Sequence, residues 1–332
     1  MNVQDLFALE RLINPTDIYS RNVRFFRTKA YFMTLDQIRI FIEVAGREHV
    51  TRAAQALNMT QSAVSAAISS LETRHTVTLF NRVGRRIELT QEGRLFLAEA
   101  QALLRRAEET ERFLADLGGE ASGVLRVHAS QTVASYWLPP HLVRYRDLYP
   151  RVQIQLSPGN TSTVAAAVLE GTSDIGVVEG EVEFPGLIKE VVAEDRLVII
   201  VGNQHPWADG MQVSPEDLTR TTWIMREPGS GTRAAFQADL RALGLDPDTL
   251  PIALEMPSNE ACLAAVEAGS SATVLSRRAA LPRLLVGSFH EVNFELPVRH
   301  FSTLRHAERH AAKSVQAMMD LLRNAQREEL AA

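Results

Sequence analysis

Short hydroxyl and amide side chains recur in this sequence at points where a helix is about to start. Ser130-Gln131-Thr132, Gly159-Asn160-Thr161-Ser162 and Glu227-Pro228-Gly229-Ser230-Gly231-Thr232-Arg233 each follow a short apolar run and open a helical pattern. Such a turn presents hydroxyls and unpaired backbone N–H groups, which together make an anion site. Arg233 adds a guanidinium fork suited to carboxylate or phosphate. Ser or Thr at any one helix start is explained by capping alone. Three such turns are more than capping needs. Ser130, Thr132, Asn160, Thr161, Ser230, Thr232 and Arg233 are therefore the candidate ligand residues, with Ser130, Thr132, Thr161 and Ser230 the strongest.

The same residue types also occur in a different setting. Thr60 can cap a helix in which Val64, Ile68 and Leu71 form the apolar stripe. Its other face carries Gln61, Ser62, Ser65 and Ser69, short and uncharged. Surface helices more often carry Lys and Glu, which pair at i,i+4. Short hydrogen-bonding side chains near a helix N-terminus suit base edges in a DNA major groove. Arg82-Val83-Gly84-Arg85-Arg86 follows, a turn allowed by its glycine and flanked by three guanidiniums. That composition suits a wing gripping phosphates. The plain alternative is a solvated Ser/Gln face on a helical hairpin, and the basic turn at this distance argues against it.

The elements that must position these groups are legible in order. Thr34 can cap a first helix with Leu35, Ile38, Phe41, Ile42 and Ala45 on one face. A polar break, Gly46-Arg47-Glu48-His49, precedes a short second helix over 52–57 that Thr51 can cap. The turn Asn58-Met59 leads to the third helix, giving a winged helix-turn-helix over 33–89. Residues 90–117 predict one long helix, in which Phe96, Ala100, Leu103, Ala107, Thr110, Leu114 and Leu117 recur in alternating steps of three and four. That seam suits two helices packed side by side, so a homodimer is expected. Gly118-Gly119-Glu120-Ala121-Ser122-Gly123 then reads as a hinge.

Beyond it, short β-rich runs alternate with helices. Strands are predicted at 124–129, 152–156, 175–178, 196–201, 222–225, 252–255, 273–275, 292–296 and 298–301. Helices are predicted at 132–149, 162–169, 232–243, 258–268 and 306–324. Alternation of this kind argues for parallel sheets covered by helices.

Several stretches carry a family resemblance: Leu35-Asp36-Gln37-Ile38-Arg39-Ile40-Phe41, Thr51-Arg52-Ala53-Ala54, Thr60-Gln61-Ser62-Ala63-Val64-Ser65 and Leu79-Phe80-Asn81-Arg82. The chain resembles LysR-type transcriptional regulators over about 300 residues. The resemblance implies a winged helix-turn-helix plus long linker helix, followed by a two-lobed α/β periplasmic-binding-protein-like effector domain. On that plan 90–118 is the linker, and 123–328 is the effector domain. Lobe I takes 123–193 and 297–328, lobe II takes 196–293, and chain crossings fall near 193–196 and 294–297. Thr60, Gln61, Ser62, Ser65, Arg82, Arg85 and Arg86 become the DNA-binding residues. The family's ligand pocket falls on Ser130, Thr132, Thr161 and Ser230, and a homotetramer is implied. Gly229-Ser230-Gly231-Thr232-Arg233 looks most like the branch regulating carbon fixation or sulfur assimilation, which hints at a phosphorylated sugar, sulfate or small carboxylate. Family members usually carry a glycine near His75-Thr76-Val77, and this sequence has none there.

Composition sets the outer bounds. At 332 residues, two or three domains are expected. Residues 33–88 hold seven Arg against five acids, a balance of +2, inside a chain whose net charge is −5. A basic tip on an acidic body favours contact with a polyanion through that tip. No apolar run approaches the ~20 residues that span a bilayer, so no membrane partner is expected. The single cysteine, Cys262, excludes an intramolecular disulfide and reads as a buried, inert thiol of a cytoplasmic protein. Residues 1–32 read as a poorly ordered upstream extension, with Arg21, Arg24, Arg27 and Lys29 as an optional basic arm. No signal peptide is legible.

Glu179, Glu181 and Glu183 read as a solvated loop, and His306 with His310 as a helical pair lacking the companions of a metal site. No partnered Ser/His/Asp set is legible, so no catalytic residue, cofactor or metal is expected. The expected partners are a double-stranded DNA operator and a small anionic metabolite. The rival reading is a small-molecule-binding protein or enzyme of the two-lobed class with a helical appendage. A transport protein should carry an export signal, and an enzyme a charged pair in its cleft.

Overall fold

The computed structural model describes residues 32–84, 86–119, 121–180 and 184–331. The upstream arginines and lysine, Arg85, Glu120, Glu181 and Glu183 lie outside the described residues. The chain divides into two compact units between Arg106 and Ala107.

In the first unit α1 spans Leu35–Arg47, α2 Val50–Ala56 and α3 Gln61–His75, followed by a hairpin of β1, Phe80–Val83, and β2, Arg86–Leu89. Thr34 starts α1 through a reciprocal capping box with Gln37. Ile38, Phe41, Val44, Val64 and Leu71 are buried at the centre, and the Phe41 ring packs 5.4 Å from Phe80 and 4.7 Å from Phe96. Truncating Phe41 there would cost about 3–5 kcal/mol. Thr51 does not cap α2. Glu48 turns left-handed at φ 49°, so the helix starts at Val50 with His49 as its cap residue, and Thr51 falls inside the first turn. α3 ends on Thr76, which itself takes the left-handed conformation (φ 53°, ψ 44°) that a glycine would adopt at no steric cost.

Helix α4 runs Gln91–Leu117. Its expected seam divides. Phe96 and Ala100, with Leu97 and Leu104, pack on the core of the first unit. Leu103 and Leu114, three turns apart, stay exposed at 47% and 62%.

The second unit contains β3 (Gly123–Ser130), α5 (Gln131–Tyr136), α6 (Leu138–Leu148), β4 (Val152–Gly159), α7 (Thr161–Glu170), β5 (Ile175–Glu179) and β6 (Leu187–Gly202). It continues with β7 (Trp223–Arg226), α8 (Gly231–Ala242), β8 (Ile252–Met256), α9 (Asn259–Glu267), β9 (Thr273–Ser276), α10 (Arg277–Leu285), β10 (Phe289–Glu291), β11 (Val298–His306) and α11 (Lys313–Ala331). The main sheet runs β10-β6-β11-β5-β3-β4, with β9 also on β6 and a separate parallel pair β7-β8. β4, β3 and β5 are parallel, while β6 and β11 are antiparallel partners. β6 is long enough to serve both halves of the sheet, and β11 pairs with it through Arg299↔Asp195 and Val298↔Arg196 where it passes from one to the other. One half packs around Leu125, Val127, Ile175, Tyr145, Phe301 and Leu322, the other around Leu197, Ile199, Val201, Trp223 and Phe236.

Three predicted elements change, and one helix, α10, goes unpredicted. The helix expected at 132–149 breaks at Trp137, because Pro139 and Pro140 lack the amide hydrogens to continue it and instead sit in the first turn of α6. The strand expected at 292–296 is replaced by β10, and a tight turn closed by Phe294 N on Val292 O (2.7 Å) follows. α10 contains Pro282, which hides it in the sequence. The last helix begins at Lys313 rather than His306. His306 ends β11, so it shares no helical face with His310.

Candidate nucleic-acid interface and ligand cleft

Gln61, Ser62 and Ser65 are exposed on one face of α3, with Val64, Ile68 and Leu71 buried behind them. Thr60 caps the helix by accepting from Ala63 N at 3.2 Å, and its hydroxyl lies 3.1 Å from that of Ser62. Arg82 and Arg86 are exposed on the two strands of the wing, flanking the turn in which Gly84 takes φ 62°. No ion pair with Arg82 or Arg86 occurs among the described residues, which leaves both guanidiniums available to a phosphate. Glu72 fixes the wing relative to the helix. Its Oε1 accepts from Leu79 N at 2.8 Å and Phe80 N at 3.2 Å. Sequence reading missed this residue, because it joins two segments that are separately unremarkable.

The three hydroxyl-bearing turns do converge, in the second unit, and around an unexpected group. Glu179, at the end of β5, is only 1% exposed. It belongs to no solvated loop. Its side chain accepts from the Ser130 hydroxyl and, at 3.4 Å, from that of Thr232, while its backbone carbonyl accepts from Thr161 Oγ1 at 3.3 Å. Thr232 in turn accepts from Arg299 Nη1 at 3.0 Å. Arg299 is buried against Asp195, with Nη2 to Oδ2 at 2.7 Å, and Asp195 also accepts from Ser276 Oγ at 2.6 Å. A chain of charge-assisted bonds thus runs from β3 through β5 and α8 to the β6–β11 crossing.

The turns also meet directly. Ser162 N donates to Gly229 O at 3.3 Å, and Asn160 Nδ2 donates to Glu227 Oε1 at 3.3 Å. A side chain at Gly231 would place its Cβ 2.4 Å from both Glu179 O and Thr161 Oγ1, so this approach needs glycine. Asn259 closes the other end. Its Nδ2 donates to Thr132 Oγ1 at 3.1 Å, and its backbone N–H donates to Gln131 Oε1 at 2.8 Å. Tyr136 donates to Glu260 at 2.7 Å, and burial together with that carboxylate raises the phenol above its ordinary range. Burial acts to raise Glu260, but hydrogen bonds from Tyr136, its own backbone and Ser258 outweigh it and hold the carboxyl below the usual value.

Each predicted residue has a definite place. Ser130, Thr132, Thr161 and Thr232 are buried and bonded within this cluster. Ser230, 2% exposed, caps α8 by accepting from Arg233 N at 3.4 Å, and Asn160 caps α7 while bridging to Glu227. Arg233 is turned to Glu255 and to the carbonyl of Arg226 at 2.9 Å. Two buried cations escaped sequence reading: Arg299, and Arg226, which is 2% exposed and held by Glu227 and by Asn259 Oδ1 at 2.6 Å. Cys262 is buried and desolvation pushes its thiol up to about 11, which makes it a poor nucleophile.

Comparison with known proteins identifies the domain that each of these two regions belongs to. Residues 35–94 match the bacterial regulatory helix-turn-helix of the lysR family, and residues 118–327 match the LysR substrate binding domain. The chain is 38% identical over 290 residues to the Uncharacterized HTH-type transcriptional regulator YeiE of Escherichia coli (strain K12), covering 87% of this chain and 96% of that protein. It is 34% identical over 265 residues to a Probable RuBisCO transcriptional regulator of Cyanidioschyzon merolae, covering 79% and 88% of the two chains. Among solved structures, full-length CbnR complexed with its target DNA shares the fold at a TM-score of 0.68 and 21% identity, covering 88% of this chain and all of that one (100%). A full-length OxyR variant of Pseudomonas aeruginosa does so at 0.65 and 20%, covering 88% and 95%. No helix among the described residues is long and apolar enough to cross a membrane. The chain belongs to the LysR family of transcriptional regulators, with a helix-turn-helix DNA-binding domain and an effector-binding domain.

Proposed function

We propose that this regulator acts in the cytoplasm as a homodimer, assembled further into a homotetramer, on a palindromic double-stranded operator. Gln61, Ser62 and Ser65 meet base edges, while Arg82, Arg85 and Arg86 hold the backbone. The exposed Leu103 and Leu114 of α4 supply the dimer seam. A small anionic metabolite binds between lobe I (123–193 and 297–328) and lobe II (196–293) and shifts how paired readers sit on DNA.

The observation that carries the effector reading is the carboxylate of Glu179 held by the Ser130 and Thr232 hydroxyls. Donors that hold one carboxylate can hold an exogenous carboxylate or oxyanion instead, provided Glu179 swings aside. Ligand-induced melting shifts test this with sulfate, inorganic phosphate, phosphorylated sugars, small carboxylates and amino-acid derivatives. A binder at a hundred times its Kd stabilises the fold by about 2.7 kcal/mol. Thr132→Val or Ser230→Val should remove the shift and spare operator binding. If both variants respond like the parent, the effector binds elsewhere.

A further inference from the structure

We infer that Arg309 is the residue through which the state of the interlobe cluster reaches helix α4, an inference that deepens the regulatory reading above. Two elements that end in the cluster have their other ends at Arg309. β11 carries Arg299 into the bonds with Asp195 and Thr232, and runs out at His306 into the segment holding Arg309. α7 begins at Thr161 against Glu179, and its last turn is gripped by Arg309, whose Nη1 donates to Val168 O at 3.0 Å and Nη2 to Leu169 O at 2.9 Å. A cation at a helix C-terminus meets both the free carbonyls and the negative end of the helix dipole.

The same guanidinium reaches α4. Arg309 Nε lies 3.4 Å from Glu109 Oε1, and the adjacent His310 ring stands edge-on to Phe113 at 5.0 Å. Gly171 makes the grip possible. It caps α7 at φ 79°, and a Cβ there would lie 2.4 Å from Arg309 Nη1. Glu109 and Phe113 lie one turn apart on α4, so one side chain and its neighbour hold a single face of that helix. Further along, α4 carries Leu104, Ala100, Leu97 and Phe96 into the core of the DNA-binding unit. A shift of β11 against α7 that accompanies an exchange of the Thr232–Arg299 and Thr161–Glu179 bonds would therefore move Arg309 or break one of the bonds it makes. Arg309 is a positioning residue: its bonds go to Val168, Leu169 and Glu109, none of them in the cluster.

The test needs no effector. In full-length protein, Thr232→Val disturbs the cluster, and hydrogen exchange is read at the amides of residues 108–114. With Arg309 present, Thr232→Val should change exchange there by at least about threefold. In an Arg309→Ala background the same substitution should leave those amides within error of Arg309→Ala alone, and Arg309→Lys should restore part of the response. Equal responses in both backgrounds overturn the inference, as does a silent 108–114 segment with Arg309 present. Melting of each variant, followed by the fluorescence of Trp137, Trp207 and Trp223, establishes that the second unit is folded, and Gly171→Ala provides an independent way to displace Arg309. Gly171→Ala should abolish the response as Arg309→Ala does; an intact response overturns the inference. Operator affinity measured on the same proteins separates a failure of this coupling from a failure of the DNA-binding assignment.

Discussion

The reader and the interlobe cluster are built from the same short side chains, used in opposite ways. On α3 Gln61, Ser62 and Ser65 are exposed, and the Ser62 hydroxyl lies 3.1 Å from that of Thr60. In the cluster Ser130, Thr132, Thr161 and Thr232 are at most 7% exposed, and each bonds to Glu179 or Asn259. The α3 face is open, so on the proposed reading a DNA partner displaces only solvent and counterions. The cluster is already occupied by the protein's own carboxylate and amide, so a ligand must exchange bonds, each worth about 1 kcal/mol net, and somewhat more where charged. On the proposed reading, affinity for DNA is set by an open surface, and sensitivity to a ligand by a set of bonds that can be remade. A hydroxyl in sequence marks a capacity for hydrogen bonding, and only burial says whether that capacity is still open.

Substitutions can break this contrast at either side. The largest effect is expected for Arg82→Ala with Arg86→Ala. Operator and random DNA should both bind more weakly, and the salt slope should fall by about 1 for each phosphate no longer held, in each subunit, when titrated by fluorescence anisotropy. In the cluster, Thr232→Val removes a donor to Glu179 and the acceptor of Arg299 Nη1, and should destabilise the second unit by about 2 kcal/mol while sparing the reader. The tryptophans report that unit alone, since Trp137, Trp207 and Trp223 all lie beyond Arg106. Thr76→Gly runs the other way. Relieving a β-branched residue at φ 53° should stabilise the reader by about 1 kcal/mol, seen as slower hydrogen exchange in α3.

The smallest effect is on pH. Burial holds both His128 and His205 below the ordinary imidazole value. The unfolded chain then binds protons more readily than the folded one, so stability is complete above about pH 6.5 and falls as pH drops below it. The melting point of the second unit should decline between pH 7.5 and 5.5, and His128→Gln with His205→Gln should flatten the decline.

How far the sequence carries depends on whether the determinants are local. Thr34 and Thr60 act on amides three residues away, so their caps are legible. Thr51 looks the same in sequence, but the left-handed Glu48 before it moves the helix start. Three hydroxyl-rich turns are legible for the same local reason. The group that gathers them is not, because Glu179 stands in line with Glu181 and Glu183 and gives no sign that β5 ends in the interior. Arg299 is hidden in the same way, since Asp195 and Thr232 lie far off in the chain, and Arg226, though Glu227 stands beside it, gives no local sign of its burial or of its bond to Asn259. Pro139-Pro140 does carry a local mark of the break at Trp137, whereas Pro282 conceals α10.

The central claim is that an uncharged helix face reads bases while the arginine wing holds phosphates. The most direct measurement compares Gln61→Ala and Ser65→Ala on operator and on random DNA at one salt concentration. The account predicts a loss of about 1–3 kcal/mol for Gln61→Ala on the operator, a smaller loss for Ser65→Ala, and no change on random DNA. Equal losses on both DNAs, or unchanged operator affinity in both variants, would contradict it.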